Sequence, residues 1–386
     1  MTTTNAGHGS KTQVKPFEIN IPQSALNDLQ ERLKRTRWTD EAEGAGWSMG
    51  TNLGYMKQLA DYWQHQYDWR KHEAALNQFH QFKAKIGDVE IHFIHERGKG
   101  PNPTPILLLH GWPDSFYRYH KAIPMLTDPA SIGGDPNNSF DVIVPSLPGM
   151  GFSERKAMPY DADADLFAKL MTDVLGYEKF VSAGGDGGAI ITMSLAEKYP
   201  HLLTAIYLTD VGYPDQTTDF ASLTPPEQEF AGFIQQWWFR EGAFNMIQAT
   251  KPQSLAFAMN DSPVGLGAWI MSFICMGTTG EEIEKRFSRD ELLTNIMIYW
   301  FTETSGSSFR VYYESAHASP SAGQRSEVPA AVAHCPYDAP LPREWAARRV
   351  NLQHFTEFPR GGHFTAWEEP EAYAKDIQDF ILQLRQ

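Results

Sequence analysis

The sequence predicts an α/β protein: a mostly parallel sheet flanked by helices, preceded by a helical arm and interrupted by a helical block. Three observations carry this reading. Continuous apolar runs that stop at glycine, such as "PILLLHG" (105–111) and "KFVSAGG" (179–185), read as strands buried on both faces. Helix-period segments alternate with them, the rhythm of parallel strands joined by crossover helices. That rhythm stops near residue 212 and resumes only near residue 328.

Residues 1–13 are polar and read as a disordered tail. An arm follows over 14–81. Leu26, Leu29 and Leu33 share one helix face, with Pro22 near its start, and "LGYMKQLADYWQHQYDW" (53–69) reads as a second amphipathic helix. The first part of the core is expected over 82–212. Phe82, Ala84 and Ile86 alternate, then Val89, Ile91 and Phe93 do, and Gly87-Asp88 between them signals a hairpin. "PILLLHG", "DVIVPSLPG" (141–149), "KFVSAGG" and "LTAIYLTDV" (203–211) are the buried strands. Between them Phe167, Leu170, Met171 and Val174 line one face of a helix that Gly176 terminates. Residues 213–325 read as a helical lid. The core resumes over 326–386 with "VPAAVAHC" (328–335), "HFTEFP" (354–359) and a closing helix.

Composition narrows the function classes. Net charge is −14, which argues against a nucleic-acid partner or an anionic membrane surface. The two cysteines, Cys275 and Cys335, fit neither zinc spacing nor a disulfide framework, so a reduced, cytoplasmic setting is expected. The N-terminus lacks the apolar core of a signal peptide. The longest uncharged apolar stretch, 264–277, is too short to span a bilayer and reads as a buried core helix.

The densest signal is "FVSAGGDGGAIITM" (180–193), in which four glycines surround Asp186. A strand, a sharp Gly-rich turn and a helix form a nucleophile elbow, whose neighbours must be small for the turn to close. Asp186 then stands where esterases carry serine, with the positive helix end keeping it ionised. The pentapeptide alone fits equally a Gly-rich turn with a capping aspartate. An aspartate that attacks carbon becomes an ester, and its hydrolysis requires a histidine base held by a carboxylate. Such elbows are followed along the chain by the acid and then the histidine. Asp338 in "HCPYDAP" and His363 in "FPRGGHFTAWEEPE" fall just past late strands in that order. The backbone N–H groups of Trp112, in His110-Gly111-Trp112-Pro113, and of Gly187 are candidates for an oxyanion hole.

Taken together, HGWP (110–113), "PSLPGMGFS" (145–153), GGDGG (184–188), "TKPQSLAFAMNDSPVGLGAWI" (250–270), "SSFRVYYE" (307–314) and "PRGGHFTAWEEPE" (359–371) resemble the microsomal-type epoxide hydrolases of the α/β-hydrolase fold. The arm resembles their N-terminal extension, and the chain looks like the soluble branch, without the anchor helix of membrane-bound relatives. The resemblance implies opening of an epoxide by Asp186, hydrolysis of the resulting ester by water activated at His363 with Asp338 as orienting acid, and release of a vicinal diol. It implies no cofactor and no metal. The expected partner is a small-molecule epoxide, with no nucleic acid and no membrane span; a homodimer is left open.

The same resemblance implies two lid tyrosines that meet the epoxide oxygen. One matches Tyr312, with Tyr313 as its neighbour and fallback. The other falls on Phe244, which keeps an apolar wall but has no proton to give. Trp112, Phe244 and Tyr313 are the expected pocket residues. Gly187 is a second departure, where relatives often carry a large side chain, and it predicts a wider pocket beside Asp186. A dehalogenase with the same Asp/His/Asp chemistry is the nearest alternative, and Phe244 favours it. A non-catalytic ligand receptor is the alternative of another class.

Overall fold

A computed structural model describes residues 13–319 and 325–385. The expected tail therefore lies outside the described residues, apart from Gln13.

In chain order the strands and helices are β1 (Val14–Phe17), α1 (Gln23–Lys34), α2 (Leu53–His65), α3 (Trp69–Leu76), β2 (Gln81–Ile86), β3 (Val89–Glu96) and β4 (Thr104–Leu109). Then come α4 (Ala122–Thr127), β5 (Phe140–Pro145), α5 (Tyr160–Lys169), β6 (Phe180–Gly184), α6 (Gly187–Lys198) and β7 (Leu203–Leu208). The inserted helices are α7 (Pro225–Glu241), α8 (Ala243–Thr250), α9 (Pro252–Asp261), α10 (Pro263–Met276), α11 (Arg289–Thr302) and α12 (Ser305–His317). The chain closes with β8 (Pro329–His334), α13 (Arg343–Arg349), β9 (Asn351–Glu357), α14 (Thr365–Glu368) and α15 (Pro370–Leu384).

All strands among the described residues join one sheet in the order β1-β2-β3-β5-β4-β6-β7-β8-β9. β1, β2, β3 and β5 pair antiparallel, and from β5 to β9 every pairing is parallel. β4 and β6 sit centrally, and Ile106 to Leu109 and Phe180 to Ala183 are fully covered by helices on both faces. Such positions carry no alternation, which is why these strands read as unbroken apolar runs. The parallel register brings Leu109 opposite Gly184, so both strands end at the same edge. Loops bearing the quoted motifs leave the sheet there.

Three local outcomes differ from the sequence expectation. The arm opens with a strand, not a helix: β1 pairs with β2, and Phe17 sets its ring edge-on to His92 at 5.1 Å. Four residues are too few for a two-residue period to stand out. The run 53–69 is two helices, because the chain leaves α2 at His65 and Asp68 caps α3 by accepting from Arg70 N–H at 3.0 Å. The expected helix at 163–176 begins earlier, at Tyr160, and widens into a π-turn over Leu170–Val174 before Gly176, at φ 79°, ends it. The stretch 264–277 is a buried helix, α10, as expected. No helix among the described residues is long and apolar enough to cross a membrane.

The arm is tied to both layers. Trp63, fully buried, points its indole N–H at the Met297 sulfur on α11 (3.2 Å), and Tyr62 donates to Asp290 at 2.8 Å. Glu73 is its internal anchor: one buried oxygen accepts from Ile21 N–H at 2.7 Å and from the Trp69 indole at 3.0 Å, while the other pairs with Arg70. Glu73→Ala orphans two buried donors and a guanidinium. We expect a loss of about 2–3 kcal/mol of unfolding free energy, read as a lower urea midpoint; an unchanged midpoint would show that the arm is held elsewhere.

Candidate active site

Asp186 lies between the end of β6 and the start of α6 with φ 54° and ψ −131°, a backbone setting that costs a non-glycine residue about 1–3 kcal/mol. The turn closes because its neighbours have no side chains. A Cβ on Gly188 would lie 2.0 Å from the Leu109 carbonyl oxygen, and one on Gly111 would lie 2.1 Å from Asp186 Oδ1. The strained turn thus brings the HGWP loop directly against the carboxylate.

Two backbone donors converge on Asp186 Oδ1: Trp112 N–H at 3.0 Å and Gly187 N–H at 2.6 Å. The other oxygen, Oδ2, is 3.4 Å from His363 Nε2, and His363 Nδ1 is 3.3 Å from Asp338 Oδ2. Asp338 Oδ1 accepts from Ala339 N–H at 2.8 Å. The side chains of Asp186 and His363 keep 24% and 17% of their surface, so neither is sealed from solvent. Burial opposes the charge on Asp186, but His363 and the two N–H donors outweigh it and hold the carboxyl below its usual range. Asp338 is lowered likewise, burial being outweighed by His363. Burial also opposes the imidazolium, yet flanking carboxylates push His363 well above its ordinary value.

Aromatic rings roof this constellation. Trp112 stacks on Phe244 at 6.1 Å and meets Phe273, Phe309 and Tyr312 edge-on at 4.8, 5.9 and 6.0 Å. The structure thus brings Asp186, His363, Asp338, Trp112, Gly187, Phe244 and Tyr312 together. Tyr313 is not among them. One residue turns an α-helix by about 100°, so Tyr313 faces away from Tyr312, 38% exposed, with its ring 4.1 Å from His317. The expectation that it lines the pocket is corrected. So is the wider space beside Gly187: a Cβ there would lie 2.6 Å from both Cζ and the hydroxyl oxygen of Tyr160, whose ring occupies that volume.

Several contributors escaped the sequence reading. Arg118 and Asp114 form a fully buried ion pair at 3.0 Å; Asp114 accepts from Gly111 N–H at 3.0 Å, and Arg118 donates to the His363 carbonyl. The D-x-x-x-R spacing directly after HGWP was a readable signal, since i and i+4 share a helical face. Asp210, just past β7, is a further half-buried carboxyl, pushed up to about 6 by desolvation and by the charge of Asp338. Among the described residues no cluster of histidine, cysteine and carboxylate side chains is arranged to hold a metal ion.

Comparison with known proteins places this geometry. Residues 14–119 match the epoxide hydrolase N-terminus family, and residues 104–370 match the α/β hydrolase fold family. The chain is 36% identical to "Epoxide hydrolase 1" of Oryctolagus cuniculus, over 95% of this chain and 88% of that protein. The crystal structure of juvenile hormone epoxide hydrolase from the silkworm Bombyx mori superposes with a TM-score of 0.85 at 31% identity, covering 97% of this chain and 94% of that one. The Aspergillus niger epoxide hydrolase structure gives 0.84 at 26% identity, covering 97% of each chain. With identity above 30% sustained across nearly its whole length, the chain belongs to the epoxide hydrolase family of the α/β-hydrolase fold.

Proposed function

We propose that this protein converts an apolar epoxide to a vicinal diol through an ester on Asp186. The observation that carries the reading is the double engagement of one carboxylate. Its Oδ1 sits between two N–H donors, and its Oδ2 faces an imidazole held by a second carboxylate.

In the first step an oxygen of Asp186 attacks a ring carbon, and the breaking C–O bond leaves its electron pair on the epoxide oxygen. Tyr312, half-buried against Trp112 and Phe244, meets that oxygen with its phenol. In the second step His363 takes a proton from water, and the resulting hydroxide attacks the ester carbonyl. The N–H groups of Trp112 and Gly187, already on Oδ1, stabilise the oxyanion. The diol then leaves with the original Asp186 oxygen. The wall of Trp112, Phe244, Phe273 and Phe309 fits an aryl or other apolar substituent. Water is the only co-reactant.

The charge on Asp186 also sets when the base acts. While ionised it helps hold His363 as imidazolium, which cannot accept a proton. Esterification removes that charge and the imidazole pKa falls, so His363 passes its proton to the phenolate left by ring opening and, now neutral, is available for the water step alone. The base is thus switched on by the intermediate it must hydrolyse.

Two outcomes test this. During repeated turnover of styrene oxide in oxygen-18 water, label should enter the Asp186 side chain, read by mass spectrometry of its peptide. Asp186→Asn should lower diol formation by about 10⁴-fold or more. Label confined to the diol from the first turnover would remove the ester from the mechanism. The pH dependence has a definite sign. Ester formation needs ionised Asp186, whose pKa lies below the usual carboxyl value, so it persists into mild acid. Ester hydrolysis needs neutral His363, which Asp338 still holds toward the imidazolium, so it slows as pH falls through the His363 pKa of the ester form, and the ester accumulates. Rapid quench across pH should show the two steps separating; a parallel fall of both would contradict the assignment of His363.

A further inference from the structure

The missing hydroxyl at Phe244 has a candidate replacement that no lid motif signalled. Tyr160, the first residue of α5, is 7% exposed, and its hydroxyl makes no hydrogen bond among the described residues. Two contacts fix where this hydroxyl lies. The phenol oxygen is 2.6 Å from the point a Cβ on Gly187 would occupy, and the N–H of Gly187 is itself bonded to Asp186. The backbone N–H of Tyr160 reaches Ser315 Oγ at 3.4 Å, and Ser315 lies three residues beyond Tyr312 on the same face of α12. Tyr160 is thus wedged between the residue that follows Asp186 and the helix that carries Tyr312.

We propose that Tyr160 is a further catalytic residue: its phenol donates to the epoxide oxygen beside Tyr312, supplying the second hydroxyl that Phe244 lacks. The proposal rests on the ester mechanism above. As Asp186 forms the new C–O bond and the ring C–O bond breaks, the oxygen carries the released electron pair and takes a phenolic proton. The tyrosinate left behind takes the imidazolium proton of His363, which recovers one from water in the second step while the other water proton passes to the leaving oxygen, so the sum is addition of water. Glycine at 187 follows from this arrangement, since any side chain there would displace the phenol. Burial, and after it the charge of Asp186, holds both Tyr160 and Tyr312 far above the ordinary phenol value, so both are protonated donors before reaction. Ester formation removes that charge, and proton loss from a phenol becomes easier in the same step that requires it.

The test separates the two chemical steps by rapid quench with styrene oxide, in wild type, Tyr160→Phe, Tyr312→Phe and the double variant. Tyr160→Phe keeps the ring and its packing. It should slow ester formation by about 10²-fold, leave ester hydrolysis unchanged, and leave the unfolding midpoint unchanged. The double variant should form no ester above background, and Phe244→Tyr placed in Tyr160→Phe should recover part of the rate. Wild-type ester formation in Tyr160→Phe, or equal slowing of both steps, would overturn the role of Tyr160 alone. Failure of the wild type to form an ester at all would overturn the function on which it rests.

Discussion

The structure turns on one backbone constraint: a charged residue held at positive φ between the end of a buried strand and the start of a helix. At φ 54° and ψ −131° Asp186 lies outside the left-handed helical well that aspartate tolerates. It persists because the surroundings leave no other path. β6 is locked between β4 and β7, and α6 crosses β4 so closely that Gly188 touches the Leu109 carbonyl. The helix start then offers its unpaired N–H groups to the carboxylate, which offsets part of the strain. A strand pairing, a helix crossing and an ion's solvation are therefore one problem with one solution.

That solution depends on joining parts of the chain far apart in sequence. Arg118 does much of this joining: its guanidinium holds Asp114, which braces the Gly111 N–H, and reaches the carbonyl of His363. The lid contributes from above. Asn295 donates to the Pro113 carbonyl at 2.8 Å, Tyr299 to the Asp114 carbonyl, and the Gly277 carbonyl accepts from His363 N–H at 2.7 Å. The α10 and α11 portion of the inserted helices is thus bonded to the same two loops that bear the site. Motions of that portion would be transmitted to the distance between Asp186 and His363.

Much of this was legible because local rules agreed with the fold. Buried strands had to be apolar on both faces, and the turn around Asp186 had to be glycine. Asp338 and His363 had to follow strands that end at the same sheet edge. What escaped depends on contacts between distant segments. Gly187 looked like open space because a missing side chain is visible in sequence and the ring that fills its place is not; Tyr160 comes from another helix. Tyr313 was grouped with Tyr312 although a helix turns neighbours apart. β1 is too short to declare a period, and it is defined by its pairing with β2. Arg118 and Asp114 are ordinary surface residue types by composition, and only their burial against the HGWP loop makes them internal.

The site's economy lies in how many groups respond to a single charge. In the proposed cycle the ionised Asp186 raises the basicity of His363 and suppresses ionisation of Tyr160 and Tyr312, because all three surround it in a poorly solvated space. Forming the ester removes that charge once, and both consequences reverse together: the phenols give up a proton more readily, and the imidazole becomes a base. Hydrolysis restores the charge and resets both. No motion is needed to order the two steps, since the covalent state of one oxygen already orders them. Asp338 keeps its charge throughout and so holds the imidazole in place while Asp186 alternates. This is why two carboxylates flank one histidine here and why they are not interchangeable: one must stay ionic for the other to change.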